Sequence, residues 1–113
     1  MTSLYSFRAE LWRYPDESGW HFLTLPVEVA DDLREEAAVF RRGFGSVKVT
    51  AEISGYSWQT SVFPDSKSSS YLLPVKKAAR DAAGISDGDD VAVRLAMHGE
   101  GEAHTGEQTS GTG

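Results

Sequence analysis

The sequence predicts a mainly β protein, a small β-barrel carrying two short helices, and three observations lead there. Several stretches alternate apolar and polar side chains with period two, the pattern of half-buried strands. Two Leu-Pro steps, at 25–26 and 73–74, are each followed by apolar residues at helical spacing and then a glycine. So much strand in a chain of 113 residues leaves unpaired edges unless the sheet closes on itself.

Taken in order, Tyr5, Phe7, Ala9 and Leu11 fall on one face of a strand over 4–14, with Ser6, Arg8 and Glu10 on the other. PDESG (15–19) is a turn, and Trp20 to Leu25 returns as the second strand. Pro26 suits the first position of a helix, where its missing N–H is not needed. Val29, Ala30, Leu33, Ala37 and Phe40 then recur on one helical face. Acids (Glu28, Asp31, Asp32) stand early, Arg41 and Arg42 late, and Gly43 is the stop, so charge and helix dipole agree.

Val47, Val49, Ala51 and Ile53 alternate as a third strand, and Ser54-Gly55 turns it into a fourth whose inward face is Tyr56, Trp58, Thr60 and Val62. FPDSKSSS (63–70) reads as a polar loop, and 71–73 as a short strand. Pro74 opens a second helix that runs to about Ala83 and is capped by Gly84. SDGDD (86–90) is a turn into a last strand with Val91, Val93, Leu95 and Met97 on one face.

Composition sets the outer limits. Hydrophobic content of 40% and charged content of 25% are those of a globular domain. Without cysteine there is no disulfide, thiolate metal site or thiol nucleophile. The opening residues carry no basic-then-apolar leader and no apolar run reaches membrane-spanning length, so the expectation is a cytoplasmic protein that does not enter a membrane. The net charge is −6, but the last 16 residues hold three of the 17 acids and no Lys or Arg. The other 97 residues therefore carry 14 acids against 11 bases, close to balance and without the excess positive charge of a general nucleic-acid binder. The sequence thus divides into one barrel domain over 1–97 and a polar, acidic tail over 98–113, expected to be disordered.

RAEL (8–11) and TAEI (50–53) lie in strands, and TLPV (24–27) and LLPV (72–75) each precede a helix, a glycine and a strand. This suggests an internal repeat of strand, hairpin, Leu-Pro, helix and strand, with approximate two-fold symmetry. Under that alignment the first helix places acids where the second places Lys76 and Lys77.

The run GFGSVKVTAEISGYSWQTSVFPDSKSSSYLLPVKKAARDAAGISDGDDVAVRL resembles a bacterial family, domain of unknown function 1905. The resemblance rests on G-x-V-x-V-x-A-x-I-x-G, W-x-T-S-x-F-P, Y-L-L-P-V-K and G-I-x-x-G-D-x-V-x-V, with F-x-A-x-L at 7–11, and covers roughly 4–97. Phe44 stands where the family's pattern has tryptophan. The resemblance implies a double-split β-barrel, distantly like AbrB-type swapped-hairpin domains, with both halves supplied by one chain. It implies no activity.

The basic residues Lys76, Lys77 and Arg80, with Lys67 and Ser68–Ser70 upstream, are the candidate site for an anion. Opposing this, lysine stems also cover apolar surface while their charges remain in water. Trp12, Trp20 and Trp58, with Tyr14 and Tyr56, could offer a stacking face for bases or a small planar ligand, although aromatics on strands more often pack a core. Among them Trp12 is the candidate surface aromatic, because it falls on the face opposite Phe7 and Leu11. No cofactor motif is present. His21, His98 and His104 form no metal set, Asp87, Asp89 and Asp90 lack the ligand spacing of a calcium loop, and Ser57 and Ser61 have no evident base. The reading is a non-enzymatic binding module for a partner or anionic ligand, monomeric or a weak dimer. DNA contact inherited from swapped-hairpin relatives is one alternative. An enzyme at the barrel mouth using Glu10, Glu52 or His21 is the other.

Overall fold

Strands that bury one face still leave unpaired backbone edges unless each finds two neighbours, and in the computed structural model a closed ring supplies them. The structure describes residues 3–39 and 45–97. In chain order the elements are β1 (Ser3–Arg13), β2 (His21–Thr24), α1 (Val27–Val39), β3 (Val47–Ile53), β4 (Tyr56–Asp65), β5 (Ser70–Pro74), α2 (Lys77–Ala83) and β6 (Asp90–Met97). The strands close in the order β1-β2-β5-β4-β3-β6, every pair antiparallel. The chain is therefore a mainly β protein with two helices, as its pattern predicts.

The register carries the apolar rows inward. Leu11 pairs with Leu23 and Leu23 with Leu73, so three strands contribute one row of leucines that is fully buried. On the other side Val49, Ala51, Leu95 and Met97 do the same. Leu25, Ala30 and Leu33 around α1, and Val75 and Ala79 around α2, join the same core. Tyr5 donates a hydrogen bond to Glu36 Oε1 (2.5 Å), tying α1 to β1.

Turn chemistry follows the sequence closely. Ser54 and Gly55 both have positive φ (51° and 84°), the requirement of a two-residue hairpin whose twist matches its strands. Gly84 closes α2 in the left-handed region (φ 67°), its N–H and that of Ile85 reaching back to Asp81 and Arg80 carbonyls. The 86–90 turn is stitched by Ser86 and Asp89, and its Gly88 N–H bonds the Leu11 carbonyl (2.7 Å).

Three expectations change. The polar loop shrinks to 66–69, because Phe63, Pro64 and Asp65 continue β4 against Leu72, Tyr71 and Ser70. Pro64 fits in that strand because β3 pairs with β4 only as far as Val62, so no ladder bond is lost on its outer side. Neither proline opens its helix. Pro74 ends β5, and Val75 stays with the sheet because its N–H is taken by the His21 carbonyl (2.9 Å). In the first half the matching bond runs from Leu25 N–H to the Tyr71 carbonyl (3.0 Å).

That pair of bonds alters the proposed internal alignment. It sets Leu25 against Val75, hence Pro26 against Lys76 and Val27 against Lys77. The first intrahelical bonds agree: Ala30 N–H to Pro26 and Arg80 N–H to Lys76. Lys76 is thus the N-cap of α2 and Lys77 its first residue, and neither stands opposite the early acids of α1. The ring order is unchanged when β1, β2 and β3 are exchanged with β4, β5 and β6, whereas the RAEL/TAEI match equates β1 with β3. Those two tetrapeptides are therefore not structural counterparts. Phe40–Phe44, with the Arg41, Arg42 and Gly43 helix end, and the 98–113 tail with His98 and His104 lie outside the described residues.

Candidate functional site

A cleft of ≈ 960 Å³ opens where the β1–β2 turn, β3 and β4, and the β5–α2 junction meet. Its cations come from two separate stretches of chain. Lys48 points outward because Val47 and Val49 point in, and register sets it across from Ser61 of β4. Lys76 and Lys77 enter at the junction after β5. Arg80 follows one helical turn beyond Lys76, its N–H bonded to the Lys76 carbonyl (3.0 Å), which places both on the cleft side of α2. Among the described residues, no Asp or Glu lines the cleft.

These four cations are not equivalent. Arg80 is half-buried and held: its Nη1 lies 2.5 Å from His21 Nδ1 and 3.4 Å from the Val75 carbonyl. The same His21 nitrogen is 2.8 Å from the Gly19 carbonyl. One imidazole nitrogen cannot accept from Arg80 and donate to Gly19 at once, so the two contacts select opposite tautomers. The other ring nitrogen, Nε2, stands 4.0 Å from Asp87 Oδ1. Lys77 is committed elsewhere, its Nζ 2.8 Å from Asp81 Oδ2. Lys48 and Lys76 are exposed and, among the described residues, make no ion pair or hydrogen bond through their ammonium groups. They are the free charges of the cleft.

Its remaining walls are aromatic and hydroxylic. Trp20 and Phe63 line it while 56% and 46% exposed, and Thr60 and Ser61 add hydroxyls. Trp20 sits on a braced turn. Its carbonyl accepts from Tyr14 N–H (2.8 Å), and its own N–H bonds Ser18 Oγ (3.2 Å). Ser18 is in turn bound through hydroxyl and amide to Asp16, whose carboxyl those bonds hold below its ordinary range.

Of the candidates chosen from sequence, the structure brings Lys76, Lys77 and Arg80 into this cleft and leaves Lys67 and Trp12 outside its lining. Lys67 stands on the β4–β5 turn, where Ser68 is bonded to Asp65, and Ser70 is buried with its hydroxyl on the Leu25 carbonyl (2.6 Å). Ser68 holds that turn together, and Ser70 ties the start of β5 to the Leu25 backbone. Trp12 packs on Phe22 (5.2 Å between centroids) and donates its indole N–H to Thr24 Oγ1 (2.9 Å). Trp20, one of the aromatics named from sequence for a stacking face, lines the cleft, whereas Lys48 and Phe63 are cleft residues that sequence reasoning passed over. Lys48 reaches the cleft only through strand register.

The groups considered for chemistry are scattered. Glu10 is exposed on β1, and Glu52 lies 3.8 Å from Arg94, neither of them in the cleft's lining. His21 and Ser61 share the cleft lining, and no hydrogen bond joins them. Among the described residues, no group of three or more His, Asp or Glu side chains is placed to hold a metal ion, and no helix is long and apolar enough to cross a membrane. In comparisons with known proteins, the family model described as a domain of unknown function (DUF1905) matches residues 7–95. No curated protein matches the chain.

Proposed function

The chain belongs to the DUF1905 domain family, a membership that carries no activity with it, and we propose that it works as a binding module for an anionic small molecule. One observation carries this reading: four cations from two parts of the chain, Lys48 and the 76–80 stretch, line one cleft that has no carboxylate in its described lining. A concave site of one sign concentrates field lines and raises the local concentration of the opposite ion. Its volume, ≈ 960 Å³, falls within the range of small-molecule pockets. Lys48 and Lys76 supply the free charge, and Arg80 forms a fixed wall.

The alternative of a DNA surface finds less support, since the basic residues are gathered in a hollow and the body as a whole is slightly acidic. Thermal melting in inorganic phosphate at low ionic strength tests the proposal. Binding of the folded state alone raises stability by about 2.7 kcal/mol at a hundredfold excess over Kd. The melting temperature should rise with phosphate in the wild type and stay flat in Lys48→Ala/Lys76→Ala. A flat curve in the wild type removes the anion site. Binding of duplex DNA, read by fluorescence anisotropy, with no response to phosphate would move the function to nucleic acid.

A further inference from the structure

We infer that the ligand of this cleft carries its anionic group on a planar aromatic ring, with the ring against the open face of Trp20 and the anion against Lys48 and Lys76. The inference rests on the anion-site reading above and adds the other half of the ligand.

Trp20 is the starting point. The residue is more than half exposed, although an indole offers one of the largest apolar surfaces a protein can bury. Its lower face is stacked nearly parallel on Phe22, at 5.9 Å between centroids and 9° between planes. Phe22 is packed in turn by Trp12, whose indole is tied to Thr24. The backbone of Trp20 is bonded at both its N–H and its carbonyl. An aromatic stack thus ends at Trp20, in a ring that is fixed in position and lines the cleft. Holding a ring in place beforehand removes the ordering cost that a ligand would otherwise meet.

Charge and surface then have to be satisfied together. A bare inorganic anion reaches the lysines and leaves Trp20 and Phe63 in water. A neutral aromatic covers the rings and leaves Lys48 and Lys76 without a counter-charge. A ring bearing a phosphate or carboxylate does both, and the volume accommodates a molecule from the size of phenyl phosphate to that of a mononucleotide. Stacking on an exposed indole is tolerant of ring type, so the selection is for a planar π-face and a negative group.

Calorimetry on the full chain with inorganic phosphate, phenyl phosphate, adenosine 5′-monophosphate and benzyl alcohol tests this. Phenyl phosphate and the nucleotide should bind roughly tenfold tighter than phosphate, the increment expected of one ring stacked on an indole. Benzyl alcohol should bind more weakly than either. Trp20→Leu should erase the tenfold preference and keep the phosphate affinity. Where that variant melts early, the wild-type Trp20 indole N–H resonance gives a second reading: it should shift with phenyl phosphate and not with phosphate. Equal affinities for phosphate and phenyl phosphate, or a preference that survives Trp20→Leu, would overturn the inference while leaving the anion site in place. Benzyl alcohol binding as well as phenyl phosphate would remove the charge from recognition, and no binding by either phosphate would remove both readings.

Discussion

Asp81 is not in the described lining of the cleft, yet neutralising it should strengthen anion binding. Lys77 Nζ lies 2.8 Å from Asp81 Oδ2, so part of its field is cancelled before it reaches a ligand, whereas Lys76 has no partner among the described residues. For an exposed cation about 4 Å from a unit negative charge in water, Coulomb's law gives about 1 kcal/mol, a factor near sixfold in affinity. Lys76→Ala should therefore weaken phosphate binding by roughly that factor at low salt, and Lys77→Ala by less than about twofold. Asp81→Asn frees Lys77 and should recover part of the same quantity as a gain, about twofold to fourfold. The helix loses little by it. An exposed i,i+4 pair is worth about 0.3–0.5 kcal/mol, and removing an acid from the last turn of α2 offsets some of that. Phosphate calorimetry of the three variants below about 50 mM salt is the measurement, repeated near 0.5 M salt, where screening should bring them together. If Lys77→Ala costs as much as Lys76→Ala, or Asp81→Asn weakens binding, the division of charge described here is wrong.

Two further predictions concern the scaffold. Leu23 is fully buried between Leu11 and Leu73 in a strand of four residues, so Leu23→Ala should cost about 2–5 kcal/mol in urea unfolding, while Leu4→Ala, at an exposed position, should stay within about 0.5 kcal/mol. Burial, and next the bond to Glu36, raises the Tyr5 phenol well above the ordinary tyrosine range. Above about pH 10 the unfolded chain releases that proton and the folded one keeps it, so stability falls with rising pH from there. Tyr5→Phe should show a shallower alkaline decline than the wild type, measured by unfolding between pH 9 and pH 11. Parallel declines would show that the Tyr5 proton is not retained.

The sequence by itself determined the element order and the inward faces. Tyr5–Leu11, Val47–Ile53, Tyr56–Val62 and Val91–Met97 alternate strictly, and burial of one face of a strand is a local requirement that a chain states in its own pattern. The Ser54-Gly55 turn and the Gly84 cap were legible for the same reason, since left-handed backbone selects its residues directly. The helix starts were not. Val75 belongs to the sheet because its N–H meets the His21 carbonyl, and a hydrogen bond to another strand leaves no mark near Pro74 in the sequence.

The cleft divides the same way. Lys76, Lys77 and Arg80 stand close along the chain, so their clustering could be read, although what separates them in role could not. Lys77 is paired with Asp81, Arg80 is held against His21, and of the three only Lys76 is without a partner among the described residues. Lys48 and Trp20 join them from more than 25 residues away along the chain, through the β3–β4 register and the closure of β2 onto β5. Charge and surface pattern belong to the chain, but which charges share one hollow depends on how the ring closes. That closure is a sum of long-range pairings, and tertiary structure alone decided it.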